Sequence, residues 1–270
     1  TTDGKIRELK LGRSPNLVAV SYSDPQVVYV TAVEAQRGAL AFAPSRGEVL
    51  LKSDDGGFSW SAVNLHGFLP TQLAAYGEME IRSVAVAPQS PRVIYAVVEA
   101  FERGIGGRHG LALLSSADGG TTWKDVLPGI QAALKIVRPA EGLKLIASVL
   151  FSQKDPQATF VVTPGEVFRS LDGGATWVAL MSEQLPVELT DLAVSPTAEN
   201  VLYLGTKRGI WRSDDGGASW VPTNQGLMAD AILKFVSSPA VLLAQGENGI
   251  YRLSDDSFTW AVEAWKSYEK

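Results

Sequence analysis

The amino-acid sequence predicts an all-β chain, a β-propeller of four-stranded antiparallel blades. Three observations predict it: an acidic motif ending in Trp recurs along the chain, its copies are spaced as blades are, and every repeat shows the same succession of short apolar runs. The first copy reads Ser53-Asp54-Asp55-Gly56-Gly57-Phe58-Ser59-Trp60. It returns with Ser116, Asp118, Gly120 and Trp123, with Ser170, Asp172, Gly174 and Trp177, and with Ser213, Asp215, Gly217 and Trp220. A worn fifth copy keeps Asp255 and Trp260 but has Leu253 where Ser is expected and Ser257 in place of Gly. Successive Trp residues are 63, 54, 43 and 40 positions apart, the span of one blade with its loops.

Repeat two shows the strand order, with residues 84–88, 93–98, 111–115 and 122–126 reading as four strands in succession. Repeat four matches it with 192–196, 201–205, 209–212 and 219–222. A proline-bearing turn separates the first two strands, as in Pro88-Gln89-Ser90-Pro91, and an apolar strand with an early Tyr follows. Tyr29, Tyr95 and Tyr203 hold equivalent places. In repeat three, 143–151 and 158–162 must serve as inner strands. Five blades then cover approximately 15–64, 81–127, 143–180, 189–223 and 231–264 of a single domain, 1–270. Residues 5–11 alternate polar and apolar and are expected to pair with the last blade, closing the ring and removing its exposed edge. A six-bladed ring is the alternative, and it requires the N-terminal stretch to combine with 262–270.

The motif explains itself physically. Asp-Gly-Gly in a hairpin lets the chain take φ > 0 at Gly, while the carboxylate accepts hydrogen bonds from backbone N–H groups of its own turn. The Trp buries a large face and its indole N–H finds a partner nearby. Asp54-Asp55-Gly56 lacks the spaced ligands and closing Glu of an EF-hand loop, so the motif reads as a staple rather than a calcium site.

Composition narrows the function classes. The 270 residues are 46% hydrophobic and 20% charged, an ordinary globular balance, and 26 Gly, 14 Pro and seven Trp suit short strands joined by tight turns. A net charge of -5 without a clustered Lys/Arg surface argues against nucleic acid as a partner. Without Cys there is no disulfide, thiolate metal site or Cys nucleophile. Apolar runs such as 143–151 are broken by charge well short of a membrane span, although a place at the periphery of a membrane complex stays open. The chain begins Thr1-Thr2, compatible with a removed leader or a trimmed chain. No metal and no cofactor is expected.

Ser-x-Asp-x-Gly-x-Thr/Ser-Trp resembles the Asp-box, or bacterial neuraminidase repeat, of sialidases, xyloglucan-active glycoside hydrolases, sortilin-type receptors and the propeller assembly factor of photosystem II. The resemblance covers about residues 15 to 264. It implies the propeller, with the Asp-box hairpins on one face, and an extracytoplasmic location. It does not imply one activity, because the repeat is a structural element shared by enzymes, receptors and assembly factors. Gly209-Ile210-Trp211-Arg212-Ser213 resembles the non-enzymatic or unassigned branch.

The face away from the hairpins is the candidate for function. Its long segments, 34–47, 99–110, 64–80 and 127–142, belong to repeats one to three. Insertions gathered on one face of a repeat protein often mark its binding surface. They carry Arg37, Arg46, His66, Phe68, Tyr76, Glu78, Phe101, Arg103, Arg108, His109 and Arg138, a mixture of Arg and aromatics that suits protein–protein contact. The plainer reading is a set of tolerated, solvated loops. His66 and His109 lack a third partner for a metal or catalytic site. No arginine motif of the sialidase type stands near the N-terminus, and no catalytic residue is assigned. A non-catalytic scaffold holding a protein partner, as an accessory subunit or assembly factor, is the preferred function. A carbohydrate-active or glycan-binding propeller is the alternative, with Glu34, Glu78, Glu80, Glu99, Glu102 and Glu141 as carboxylates by location and Phe68, Tyr76 and Phe101 as platforms.

Overall fold

The computed structural model describes residues 14–33, 48–76, 78–101, 109–137, 145–152, 155, 157–180, 188–198, 200–228, 231–238, 241–254 and 259–265. Among them the strands form five four-stranded antiparallel sheets, each running through its strands in chain order. Blade one is β1 (Ser14–Val20), β2 (Val28–Val33), β3 (Glu48–Ser53) and β4 (Ser61–Val63). Blade two is β5 (Glu78–Ala87), β6 (Ser90–Phe101), β7 (His109–Ser116) and β8 (Lys124–Asp125). Blade three is β9 (Ser148–Phe151), β10 (Thr159–Val162), β11 (Val167–Ser170) and β12 (Val178–Ala179). Blade four is β13 (Leu189–Val194), β14 (Leu202–Thr206), β15 (Gly209–Ser213) and β16 (Val221–Pro222). Blade five is β17 (Ile232–Ser238), β18 (Val241–Gly246), β19 (Gly249–Ser254) and β20 (Thr259–Trp265).

Two compact units divide the chain, Thr1–Leu127 and Pro128–Lys270. In the first, Tyr29 and Leu50 of blade one pack with Ile94, Val98 and Leu114 of blade two. In the second, Phe160, Val162 and Val167 of blade three meet Leu192, Val194, Leu202 and Leu204 of blade four. On its other side blade four sets Ala193, Tyr203 and Ile210 against Ile232, Phe235 and Leu242 of blade five. Residues 5–11, expected to close the ring, and Asp255 of the worn hairpin lie outside the described residues.

Two connections differ from the sequence expectation because their apolar residues have somewhere to pack. The 64–80 segment contains a 3-10 turn at His66–Phe68 and the single-turn helix α1 (Thr71–Ala74), and its Leu65, Leu69 and Leu73 are buried in the core of the first unit. The 127–142 segment opens with the helix α2 (Leu127–Val137). Asp125 starts this helix by accepting the N–H of Leu127 at 3.1 Å, while Leu127, Ile130 and Leu134 follow its inner side at helical spacing. Gly129 lies so close to Trp177 that a Cβ there would come within 2.8 Å of the indole Cδ1. The described parts of these connections are packed elements rather than free loops.

Blade two also departs from expectation in strand length. Glu78 pairs with Phe101, and Phe101 with His109, so the three strands run past the segments read as loops. Glu80 and Glu99, also a pair, stand on strands as well. The alternation Glu78-Met79-Glu80-Ile81 explains the extension: Met79 and Ile81 pack on the core side and the carboxylates take the other.

Candidate functional site

The hairpins between third and fourth strands come first, because their polar atoms account for most of the charged motif residues. In blade one the Ser59 hydroxyl donates to Asp55 at 2.6 Å, the Ser53 hydroxyl donates to Asp55 at 2.7 Å, and the N–H of Gly57 donates to Ser53 Oγ at 2.7 Å. Thr122, Thr176 and Ser219 serve Asp118, Asp172 and Asp215 in the same way, each at 2.6 Å. Those bonds, the Ser or Thr hydroxyl foremost, hold all four carboxyls down at about 2. Trp123, Trp177 and Trp220 donate their indole N–H to the carbonyls of Gly120, Gly174 and Gly217 at 3.0, 3.1 and 3.1 Å.

Four hairpins are also tied to the first-to-second strand turn of their own blade or, in blade two, to the start of the second strand. The N–H groups of Gly56, Gly119, Gly173 and Gly216 donate to the carbonyls of Gln26, Arg92, Gln157 and Asn200 at 2.8, 2.9, 3.1 and 2.8 Å. Neighbouring blades join in: the Tyr29 hydroxyl donates to the carbonyl of Pro91 at 3.2 Å, and Arg169 donates to that of Gly216 at 2.9 Å. Burial, with Asp54 adding to it, pushes the Tyr29 phenol up. Asp191 is a further tie, accepting the N–H of Phe235 at 2.8 Å while its burial pushes the carboxyl up. These carboxylates are committed to the fold.

The opposite end of blade two gathers the candidate residues that the structure describes. Glu78, Phe101 and His109 form one row across β5, β6 and β7, and Glu80, Glu99 and Leu111 form the next row of the same face. A register shift between Ile81 and Ser83 leaves Arg82 on the solvent side, where it donates to Glu99 at 2.6 Å and to Glu80 at 2.8 Å. Beside these rows runs the connector from blade one. His66 is exposed on its 3-10 turn, whereas Phe68 and Tyr76 are half-buried against the core and share their faces with it. Gly110 permits this closeness, since a Cβ would come within 1.9 Å of Leu73 Cδ2 and 3.3 Å of Tyr76 Cε2.

Five expected site residues thus have described surroundings: His66, Phe68, Tyr76, Glu78 and Phe101. The backbone of His109 joins them through its pairing with Phe101. Arg37, Arg46, Arg103, Arg108 and Arg138 lie outside the described residues, as do Glu34, Glu102 and Glu141. Sequence reasoning missed Arg82, whose place in the Glu78, Glu80, Arg82 alternation was the available signal. Among the described residues, no group of three His, Asp or Glu could hold a metal ion, and no helix is long and apolar enough to cross a membrane.

No family model and no curated protein matches the chain. Solved structures do. An ancestral GH74 enzyme is 19% identical with a TM-score of 0.59, and the match covers 94% of this chain and 32% of that one. The GH74 enzyme of Niastella koreensis is 17% identical with a TM-score of 0.61, covering 91% of this chain and 36% of that one. A structure of YCF48 bound to D1 peptide is 18% identical with a TM-score of 0.54, covering 94% and 68%. The chain therefore spans about a third of the length of the GH74 enzymes it matches. At these identities the likeness shows the fold alone, and together with the five sheets it shows a β-propeller.

Proposed function

We propose that the protein is a non-catalytic scaffold of the Asp-box type that binds a protein partner at the extended end of blade two. The observation that carries this reading is the row Glu78, Phe101 and His109 on strands longer than those of the other blades, flanked by His66, Phe68 and Tyr76 on a packed connector. An aromatic among carboxylates on rigid strands offers a preorganised anchor, which lowers the ordering cost of binding. YCF48 has been solved with a bound peptide, and a propeller of 11% identity and TM-score 0.54 comes from a nidogen/laminin complex; both support a peptide or protein as the ligand class. An assembly-factor or accessory-subunit role outside the cytoplasm follows the same reading.

Carbohydrate chemistry is the weaker reading on chemical grounds. A glycosidase needs one carboxyl to act as an acid beside a second carboxylate. Glu80 and Glu99 are close enough to be considered, yet both are engaged by Arg82.

The test is mild purification from the native source with Phe101→Ala and Glu78→Lys alongside the unaltered chain. A stoichiometric protein partner lost from both variants supports the reading. A chain that runs alone and binds or cleaves a glycan on an array refutes it.

A further inference from the structure

The outer strand of blade two stops short. β8 pairs with β7 only at Leu114 and Ser115, whereas β20 of blade five follows β19 as far as Gly249. Asp125 explains the stop. Its carboxylate accepts the N–H of Leu113 at 3.3 Å and that of Leu127 at 3.1 Å, so the side chain stands where a further strand residue would pair and the chain turns into α2. The last backbone bond between the two strands runs from the N–H of Val126 to the carbonyl of Leu113 at 2.8 Å, and β7 continues past it from Ala112 back to His109.

Register decides which backbone groups of that stretch point outward. Leu113 directs its N–H and C=O away from β6, so with a period of two Leu111 and His109 do the same. Among the described residues nothing bonds to the outward groups of Leu111 or His109. The usual guards of an edge are missing too, since His109-Gly110-Leu111-Ala112 holds no Lys, no Pro and no bulge. Leu111 shares its face with Glu78, Glu80 and Glu99, three carboxylates against the one guanidinium of Arg82. On the other face Leu73 and Tyr76 of the connector close over Gly110. Edge, carboxylates and connector all belong to the first unit.

We propose that this edge receives an extended segment of the partner, with Lys or Arg at alternate positions, as an added strand alongside His109–Leu111. The inference rests on the reading of blade two as the partner site and names the chemistry of what docks there. The outward N–H and C=O groups of His109 and Leu111 exchange bonds with the backbone of the segment, which gives affinity, and its alternating side chains give specificity. A residue opposite Leu111 projects onto the acidic face, two strand spacings or about 10 Å from Glu99, a gap that a long cationic side chain reaches across. Its sequence neighbours face the connector, where small side chains fit beside Gly110. The excess of carboxylates selects a basic segment over an acidic one.

The probe is a short fluorescent peptide in which Lys alternates with Thr, measured by anisotropy on the whole chain beside a peptide with Glu for Lys and one with alternate amides N-methylated. The Lys peptide should bind, and the amides of His109 and Leu111 should gain protection from hydrogen exchange. Leu111→Pro removes one outward donor and leaves the bonds to β6 in place, because an edge strand accepts Pro where its N–H points away from the sheet. That variant and the N-methylated peptide should each weaken binding about tenfold, the N-methylated peptide reading the same bonds on the unaltered fold. Glu80→Gln with Glu99→Gln should weaken it several-fold and flatten its salt dependence. No binding at millimolar peptide, equal binding of the Glu peptide, or protection that leaves out His109 and Leu111 overturns the proposal. A native partner released by Phe101→Ala and kept by Leu111→Pro leaves the blade-two site standing and removes the added strand, whereas a partner kept by both removes the two readings together.

Discussion

Blades two and four are alike at the hairpin end and unlike at the other. Both fold Ser, Asp and Trp into the same bonds, with Trp123 and Trp220 donating to Gly120 and Gly217 at 3.0 and 3.1 Å. Yet β6 has 12 residues where β14 has five. The difference teaches where the repeat is constrained. At the hairpin end the Ser hydroxyl, the Asp carboxylate and the indole N–H of both blades have fixed partners, so length cannot change there without orphaning a buried donor. At the other end a strand pair grows by adding residues in register, as Glu78 with Phe101 and Glu80 with Glu99 do.

The largest contrast expected is between Trp220 and Phe101. Trp220 is buried and hydrogen-bonded, so Trp220→Ala should cost about 3–5 kcal/mol of unfolding free energy. Phe101 is half-buried on the grown end, and Phe101→Ala should cost about 1 kcal/mol while weakening partner binding. Urea titration followed by CD measures both, and equal losses would break the comparison.

A smaller effect is expected at Gly217. Its φ of 97° and the 2.6 Å approach of a Cβ to Leu180 Cδ1 make Gly217→Ala costly by about 1–3 kcal/mol. Gly110→Ala in blade two meets the side chains of Leu73 and Tyr76, both on the connector, so the connector should shift while the hairpin stays intact. Hydrogen exchange should then show lost protection around residues 65–76 alone.

Much of the hairpin end was legible in the sequence because the motif is local: Ser, Asp, Gly and Trp within eight residues specify their own bonds. The early aromatic of the second strand was legible too, since Tyr29, Tyr95 and Tyr203 are all buried, and Phe160 takes that place in blade three. The grown end was not, because a strand that continues past its neighbours' usual length is visible only as alternation. Glu78-Met79-Glu80-Ile81-Arg82 carried that signal beneath a reading of charged loop. For α2, the 127–142 segment read as a long connection, although Pro128 is well tolerated in the first turn of a helix and Leu127, Ile130 and Leu134 carried the helical period. Packing of the connector on Gly110 depends on contacts across many residues, which no local motif encodes.

Next in size is the hydroxyl of one hairpin. Ser213 Oγ donates to Asp215 and accepts the N–H of Gly217, so Ser213→Ala should cost about 1–2 kcal/mol. The same bonds give an acid dependence. In the folded chain the four hairpin carboxyls sit at about 2, below the roughly 4 of an unfolded Asp, so their contribution is complete above pH 4 and fades as pH falls through 2. Asp118→Asn should flatten that acid limb by one step, read from urea midpoints between pH 2 and 5.

The smallest effect separates an extension from a core. Arg82 pairs with Glu80 and Glu99 on the solvent side of blade two, and such exposed pairs contribute about 0–1 kcal/mol. Removing the cation leaves two carboxylates opposite each other across β5 and β6, a repulsion of similar size that salt screens. Arg82→Ala should therefore lower stability by about 1 kcal/mol at low salt and by less at high salt, and adding Glu99→Gln should restore it. Partner binding is the second readout, since the row beyond Arg82 holds Glu78 and Phe101. A loss of several kcal/mol that salt does not change would mean that this end of blade two is as constrained as its hairpin, and the division between a fixed end and an extendable one would fall.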